Sequence, residues 1–368
     1  MPKTAASDWT QTETDTLLDL IRAHGAQAFY RHASATGRSP DACRMHIQRQ
    51  HREAWMDAMA TWRTMRLSQP VTSRAPQVSP QQASQIDAWW DRFAPVHIDP
   101  PPTPKAKVTA NKGVTIVASD FHFPLQDDAA ISVLLKTVAL MRPSTVILNG
   151  DLPDLLAVSR YPKDVRQTWS LHEEATAYLR FLRDLEAHMP DKARLIELDA
   201  NHSGNGTESR WWRYLSDRIP ELLTTARART LMSYQAWWHP EWSRIEMEPE
   251  LVIGPDLLIT HGTIVRRGGG MSAKAHSESY LNSVMHGHTH RQGSHMRRVP
   301  AVGGRGEQVI KAYETGCMCR LDPGYVKVPD WTQGFAIIVE GATSYGVELV
   351  TIENGVATVA ALGQTITA

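Results

Sequence analysis

The sequence predicts an α/β domain behind a small helical unit and a breaker-rich connector. Three observations carry that expectation. Short apolar runs at 114–118, 146–148, 194–198 and 257–260 alternate with longer helical patterns, the signature of strand–helix–strand units. Each run hands over to polar residues at its carboxyl end, the usual place for a site in such a sheet. Residues 8–56, by contrast, have helical periodicity alone.

Length and composition set the bounds. A chain of 368 residues is long enough for two or three domains, and its 42% apolar content supports a sizeable core. No run of about 18 apolar residues exists, so no membrane span is expected. Met1-Pro2-Lys3-Thr4 lacks the basic and apolar segments of a secretory signal. Cys43, Cys317 and Cys319 are odd in number and lack C-x-x-C spacing, which argues against a disulfide framework or a cysteine-based zinc site. Cys317-Met318-Cys319 reads as buried core, and the expected setting is reducing and cytoplasmic. With 39 basic and 39 acidic residues, global charge does not announce a nucleic-acid binder, so such a role would need a local patch. The tryptophan pairs Trp89-Trp90, Trp211-Trp212 and Trp237-Trp238 read as core and interface.

Residues 1–66 read as a three-helix unit. The first helix follows Asp8, carries Trp9, Leu17, Leu18, Leu20 and Ile21 at helical spacings, and ends at His24-Gly25. A second carries Ala28, Phe29, Tyr30 and Ala33 and ends at Gly37. Ser39-Pro40-Asp41 then supplies an N-cap, a first-turn proline and an acid for a third helix, 40–56. Acids gather on the first helix (Glu13, Asp15, Asp19) and basic residues on the third. The spacing of Trp9, Phe29 and Ile47, with the turn Gly37-Arg38-Ser39-Pro40-Asp41-Ala42-Cys43-Arg44, resembles a Myb/SANT-type helix-turn-helix, with an aliphatic third core position. That resemblance implies DNA as partner and Arg38, Arg44, Arg49 and Arg52 as contacts. The alternative is a structural or protein-binding unit with a solvated basic face.

Residues 67–112 are Gln-, Ser- and Pro-rich, with the run Pro100-Pro101-Pro102-Thr103-Pro104, and read as a linker. A short helix around 86–93 is expected within it, bearing Trp89 and Trp90.

The domain 113–368 delivers chemistry strand by strand. The first strand ends at Asp120 and His122, the second at Asp151, the third at Asn201 and His202, the next at His261. A strand at 283–285 runs into His286-Gly287-His288-Thr289-His290, whose three imidazoles in five positions are costly to bury without partners. In an extended segment His288 and His290 point to one side and make a natural divalent-metal site, against the plainer reading of a His-rich turn. An aspartate after a strand is often only a helix cap. Five strand ends in succession, each offering a hard oxygen or an imidazole, exceed what capping explains. Asp120, His122, Asp151, Asn201, His261, His288 and His290 suffice for two ions with one carboxylate shared. A mixed Asp/His/Asn set suits manganese, iron or zinc better than calcium or magnesium.

These blocks, Asp120-Phe121-His122, Gly150-Asp151, Asn201-His202, His261 and Gly287-His288-Thr289-His290, resemble in order the motifs of the calcineurin-like metallophosphoesterases over about 230 residues. The resemblance implies a two-sheet mixed β-sandwich flanked by helices and two divalent metal ions, with manganese favoured over iron or zinc. It assigns Asp120, His122, Asp151 and His290 to one ion, Asn201, His261 and His288 to the other with Asp151 bridging, and His202 as general acid. A hydroxide held between the ions would attack phosphorus in line. Asp154 could orient a ligand imidazole, and Arg160, Arg210, Arg266 and Arg267 could clamp phosphate, although a surface role suits each. Two positions depart from the family pattern: Ala200 replaces glycine, and Ser203 replaces the acid that orients the catalytic imidazole, with Glu208 a candidate substitute. The domain order also resembles phosphoesterases of bacteriophages and prophages. The leading expectation is a DNA nuclease or phosphodiesterase, similar to the nuclease subunits of double-strand-break repair. The alternatives are a phosphomonoesterase on protein, nucleotide or nucleic-acid ends, and a DNA-binding regulator with an inactive metal fold. Self-association as a homo-oligomer is left open.

Overall fold

The structure, a computed structural model, describes residues 9–24, 28–36, 38, 42–43, 46–47, 50–51, 53–55, 57–58, 61, 79–81, 84, 111–160, 169–224, 226–301, 306–322 and 329–368. The chain divides into two compact units, Met1–Arg74 and Ala75–Ala368. Most of the proline-rich segment 67–112, including the helix expected at 86–93, lies outside the described residues.

In the first unit, α1 (Gln11–His24) and α2 (Ala28–Thr36) pack through Leu17, Ile21, Ala28, Phe29 and Ala33. Described positions 42–43, 46–47, 50 and 53–55 are helical too and bury Cys43, Ile47 and Trp55 in the same core. Trp9 stacks on His46, with centroids 3.9 Å apart, and Arg38 sits over the Trp9 ring at 4.2 Å. Arg38 also donates to both Glu13 carboxylate oxygens at 3.1 and 3.2 Å, which helps lower the Glu13 carboxyl to about 2. Among the expected DNA contacts, Arg38 is therefore held within its own unit, while Arg44, Arg49 and Arg52 lie outside the described residues.

The second unit is a mixed α/β sandwich. Chain order runs β1 (Asn111–Ala118), α3 (Asp128–Met141), β2 (Pro143–Leu148), α4 (Leu171–His188), β3 (Arg194–Leu198) and α5 (Arg210–Arg218). After α6 (Ala226–Leu231) and α7 (Tyr234–Trp238) come β4 (Ile245–Glu248), β5 (Leu251–Ile253) and β6 (Leu257–Ile259). Then follow α8 (Met271–Tyr280), β7 (Ser283–His286), β8 (Gln292–Val299), β9 (Gln308–Thr315), β10 (Gly334–Glu340), β11 (Tyr345–Thr351), β12 (Val356–Val359) and β13 (Gln364–Thr367). One sheet has the order β11-β10-β1-β2-β3-β4, the other β5-β6-β7-β9-β8. In the first sheet β1 through β4 are parallel, with β10 and β11 antiparallel at one side. In the second, β7 pairs parallel with β6 and β9, while β5 and β8 pair antiparallel at the edges.

Local chemistry explains the boundaries. Asp127 caps α3 by accepting from the Ala130 N–H at 2.9 Å, and Ser170 with Glu173 forms a capping box on α4. Strand alternation sends Val117, Ile147, Ile196 and Leu198 of the first sheet against Leu257, Ile259, Met285 and Tyr313 of the second, and this layer is the core between the sheets. Trp211, Trp212 and Trp238 are buried in the helical layer, as their pairing suggested.

The Glu353-Asn354-Gly355 turn, with Asn354 and Gly355 in the left-handed region, is closed by an antiparallel bridge between Glu353 and Val356. β12 pairs with β13 in its own ribbon, while β11 pairs with β10.

Candidate metal centre

The parallel core of the first sheet and the β6–β7 pair of the second bring their carboxyl ends to one place. Asp120 and His122 follow β1, Asp151 follows β2, Asn201 and His202 follow β3, His261 follows β6, and His288 and His290 follow β7. Four sets of side chains there have ligand atoms within 4.8 Å of one another and are able to hold a metal ion: His290/Cys317/Cys319, whose cysteines read as plain core in the sequence, Asp120/His122/His290, His122/Asp151/His202 and Asp151/His261/His288. Asn201 joins the last, its Oδ1 lying 3.0 Å from His261 Nε2. All seven expected ligands, with His202, thus occupy one neighbourhood.

The turns that present these groups are conformationally unusual. Asp120, His122, Asp151, His288 and His290 all have positive φ, between 51° and 67°. Non-glycine residues enter that region at a cost, and they persist there where surrounding bonds fix them. Here the N–H of Asp120 donates to the Gly150 carbonyl, and the N–H of His288 to both Asp120 carboxylate oxygens, at 3.1 and 2.9 Å. Two glycines permit the close approach. A Cβ on Gly150 would sit 2.7 Å from His261 Nδ1, and one on Gly287 would sit 2.5 Å from Asp120 Oδ2.

The same geometry corrects the strand argument for His288 and His290. Residues 287–290 form a bend rather than an extended strand, so period-two alternation does not apply to them. The turn sends His290 to Asp120, with Nε2 3.2 Å from Oδ1, and His288 to the group of Asp151 and His261.

Outer hydrogen bonds fix which ring nitrogen faces inward. His261 Nδ1 donates to the Asn149 carbonyl at 2.7 Å, which leaves Nε2 as the nitrogen that faces Asp151 Oδ2, at 3.3 Å. His122 Nδ1 likewise faces Asp154 Oδ1 at 3.0 Å. Its Nε2 then points at His290 Nε2 across 3.0 Å, with Asp120 Oδ1 within 3.9 Å of the former. Ring nitrogens and carboxylates converging in this way, with His122 and His261 tethered through their far nitrogens, are what a divalent cation site requires. The donor set fits metal ions.

Electrostatics follow from that crowding. Burial alone would raise the Asp120 and Asp151 carboxyls, but the imidazoles of His290 and of His202 and His261 hold them well below the usual carboxylate range. Burial opposes protonation of His290 and His261, yet Asp120 and Asp151 raise them to about 10 and about 9. Burial, with the charge of His261, takes His288 down to about 4.

The expected acid has a different supporting cast from the one its sequence neighbours suggest. Glu208 is paired with Arg213. Asp154, buried behind His122, lies 3.3 Å from His202 Nδ1, an ion-pair distance without hydrogen-bond alignment. Arg210, the first residue of α5, donates to His202 Nε2 at 2.8 Å and to the Asp154 carbonyl at 2.6 Å. The loop itself is tied down by the Asp199 carboxylate, which accepts from the Asn205 N–H at 2.8 Å, and by the His202 N–H donating to Asp151 Oδ1 at 2.9 Å.

The other expected residues sit further out. Arg160, Arg266 and Arg267 are exposed. His286 is fully buried and turned away from the ligand groups, its ring 4.1 Å from that of His276 and its Nε2 3.7 Å from Glu314. Two neighbours of His290 carried no sequence signal for this place. Cys319, read there as plain core, is buried with its Sγ 3.9 Å from His290 Nδ1, and the indole of Trp331 lies 4.1 Å from the His290 ring.

Fold and site together define a two-sheet α/β protein with a candidate dinuclear metal centre at the ends of its strands. No family model matches the chain. It is similar to the Gene 54 protein of Mycobacterium phage L5, 23% identical over 254 residues, covering 65% of this chain and 94% of that protein. It is similar also to the Gene 54 protein of Mycobacterium phage D29, 25% identical over 259 residues, with 65% and 94% covered. Among solved structures, zinc-complexed Vps29 of Entamoeba histolytica aligns with 69% of this chain and 98% of its own, at 15% identity and a TM-score of 0.34. The Pseudomonas putida nuclease MPE aligns with 64% and 87%, at 11% identity and a TM-score of 0.28. Among the described residues, no helix is long and apolar enough to cross a membrane.

Proposed function

We propose that the chain is a two-metal phosphodiesterase acting on nucleic acid. The observation that carries this reading is the convergence of seven donors from five strand ends around Asp151, which alone belongs to both the His122 and the His261/His288 groups. In this reading Asp120, His122 and His290 hold one ion, Asn201, His261 and His288 hold the other, and Asp151 is shared. Manganese suits the mixed oxygen and imidazole set, as do iron and zinc. Divalent ions bound there supply Lewis acidity toward a phosphate and acidify a water that serves as nucleophile.

The remaining steps belong to the chain's own side chains. Arg210 exchanges its bond to His202 for one to a phosphate oxygen, for which its forked donors are suited. His202 then takes up a proton from solvent at the freed Nε2 and passes it to the leaving oxygen, while Asp154 supports the imidazolium from Nδ1. Asp154 thereby takes the orienting role that Ser203 cannot fill, and the same carboxylate steadies His122. Exposed Arg160, Arg266 and Arg267 stand ready for flanking phosphates. The nucleic-acid part of the reading is supported by the helical first unit, where contacts would fall to Arg44, Arg49 and Arg52, since Arg38 is committed to Glu13.

The deciding assay takes the manganese-loaded protein to a nitrophenyl monoester, a bis-nitrophenyl diester, and single- and double-stranded DNA. Turnover of the diester and DNA, abolished in Asp151→Ala, is the expected result. Turnover of the monoester alone would replace the reading with a phosphomonoesterase.

A further inference from the structure

The rim beside His290 carries an aromatic side chain that holding metal does not require. Trp331 lies just before β10, and its indole meets the His290 imidazole at 68° with centroids 4.1 Å apart. The segment is fixed by backbone bonds: the Thr332 N–H donates to the His290 carbonyl at 2.8 Å, and the Cys317 N–H to the Thr332 carbonyl at 3.0 Å. Trp331 is half-buried, so part of its ring stays at the surface.

Guanidinium groups gather at the residue before it. Arg291 Nε lies 2.7 Å from Asp330, the residue before Trp331, and the Arg291 guanidinium donates to the Arg266 carbonyl at 3.3 Å. Arg267 is close enough for its charge to act on Asp330. A half-buried indole beside the candidate metal centre, with guanidinium groups at the neighbouring Asp330, suits a nucleotide or a single strand: the phosphate goes to the metal side and the base lies on the ring. A simple alkyl phosphate has nothing to place there.

We propose that Trp331 is the platform on which the nucleobase next to the reacting phosphate stacks, making the substrate a nucleotide-bearing phosphoester. This deepens the phosphodiesterase reading above and rests on it. The test is calorimetric titration of the manganese-loaded full chain with thymidine 5′-phosphate and with deoxyribose 5-phosphate, which differ only in the base. The wild type should bind the thymidine ligand about tenfold more tightly. Trp331→Ala should bring that ratio to about one, Trp331→Phe should keep most of it, and Trp331→Leu serves where the alanine variant does not fold. Metal content is measured for each variant.

Equal binding of the two ligands by the wild type, or a ratio kept in the alanine variant, would overturn the platform while leaving the phosphoester reading in place. Metal loss in Trp331→Ala with equal losses on both ligands would reduce Trp331 to a support for His290 and overturn the platform too. Failure of the loaded wild type to bind either phosphate would overturn the phosphoester reading and the platform with it.

Discussion

The guanidinium of Arg210 donates to Nε2 of His202 at 2.8 Å. Because arginine stays charged, that nitrogen is an acceptor, and the His202 proton sits on Nδ1, facing Asp154. The candidate acid is thus held with its inward nitrogen occupied, and a phosphate that draws Arg210 away releases it.

Arg210 and His202 should therefore act as a unit. His202→Ala is expected to lower kcat on a diester by about 10²–10⁴-fold, as loss of a general acid does. Arg210→Ala should lower kcat/KM by a comparable factor. The double variant should be little worse than the weaker single one, because the two groups serve one step. Steady-state kinetics of the four-protein cycle checks this, and additive losses would separate the two residues.

Asp154→Asn should weaken metal binding about 10–100-fold, since the carboxylate that fixes the His122 tautomer is gone. The same change should lower kcat on a diester, because His202 loses the carboxylate that faces its Nδ1. Metal affinity by calorimetry at fixed pH reads the first effect alone.

Gly287→Ala would put a Cβ 2.4 Å from Ser119 Oγ and 2.5 Å from Asp120 Oδ2. The turn carrying His288 and His290 must shift to make room, at a cost of about 1–3 kcal/mol. A lower thermal midpoint together with reduced metal content is expected. A drop in stability with metal content intact would show that the turn absorbs the strain elsewhere.

Metal should stabilise the fold, because the converging donors bind ions only when assembled. Adding manganese to chelator-treated protein should raise the thermal midpoint, and Asp151→Ala should lose most of that rise. Scanning calorimetry with and without metal measures it directly.

Glu174 offers a pH signature away from the ligands. It is fully buried, it accepts from the Leu155 N–H at 2.6 Å, and burial, helped by the charge of Asp154, raises its carboxyl from 4.5 to about 8. The folded state therefore holds this proton more tightly than the unfolded state does. The stability this contributes is fully present below about pH 4.5 and is lost as pH rises towards 8. Glu174→Gln, which mimics the protonated form, should flatten that part of the stability profile relative to wild type in denaturant titrations between pH 5 and 9.

Much of the second unit was legible in the sequence because its signals are local. The helix at Asp128–Met141 and the strand at Arg194–Leu198 have boundaries set by capping and by apolar runs that the chain shows directly. The seven donors were legible for the same reason: parallel strands deliver their carboxyl ends to one edge, so residue type after each strand is enough. Strand alternation does not describe His288 and His290, which sit in a bend rather than an extended segment.

By itself, then, the sequence determined the strands that carry the donors, the donor types that follow them and the deep burial of Cys317 and Cys319. Only the tertiary structure decided that Asp154 faces both His122 and His202, that Arg210 rather than Glu208 meets the acid, and that Cys319 and Trp331 back His290. The physical reason is range. Strand ends and caps are fixed by neighbours a few residues away, whereas Trp331 reaches His290 only because the end of β7 and the start of β10, in different sheets, lie at the same edge of the sandwich.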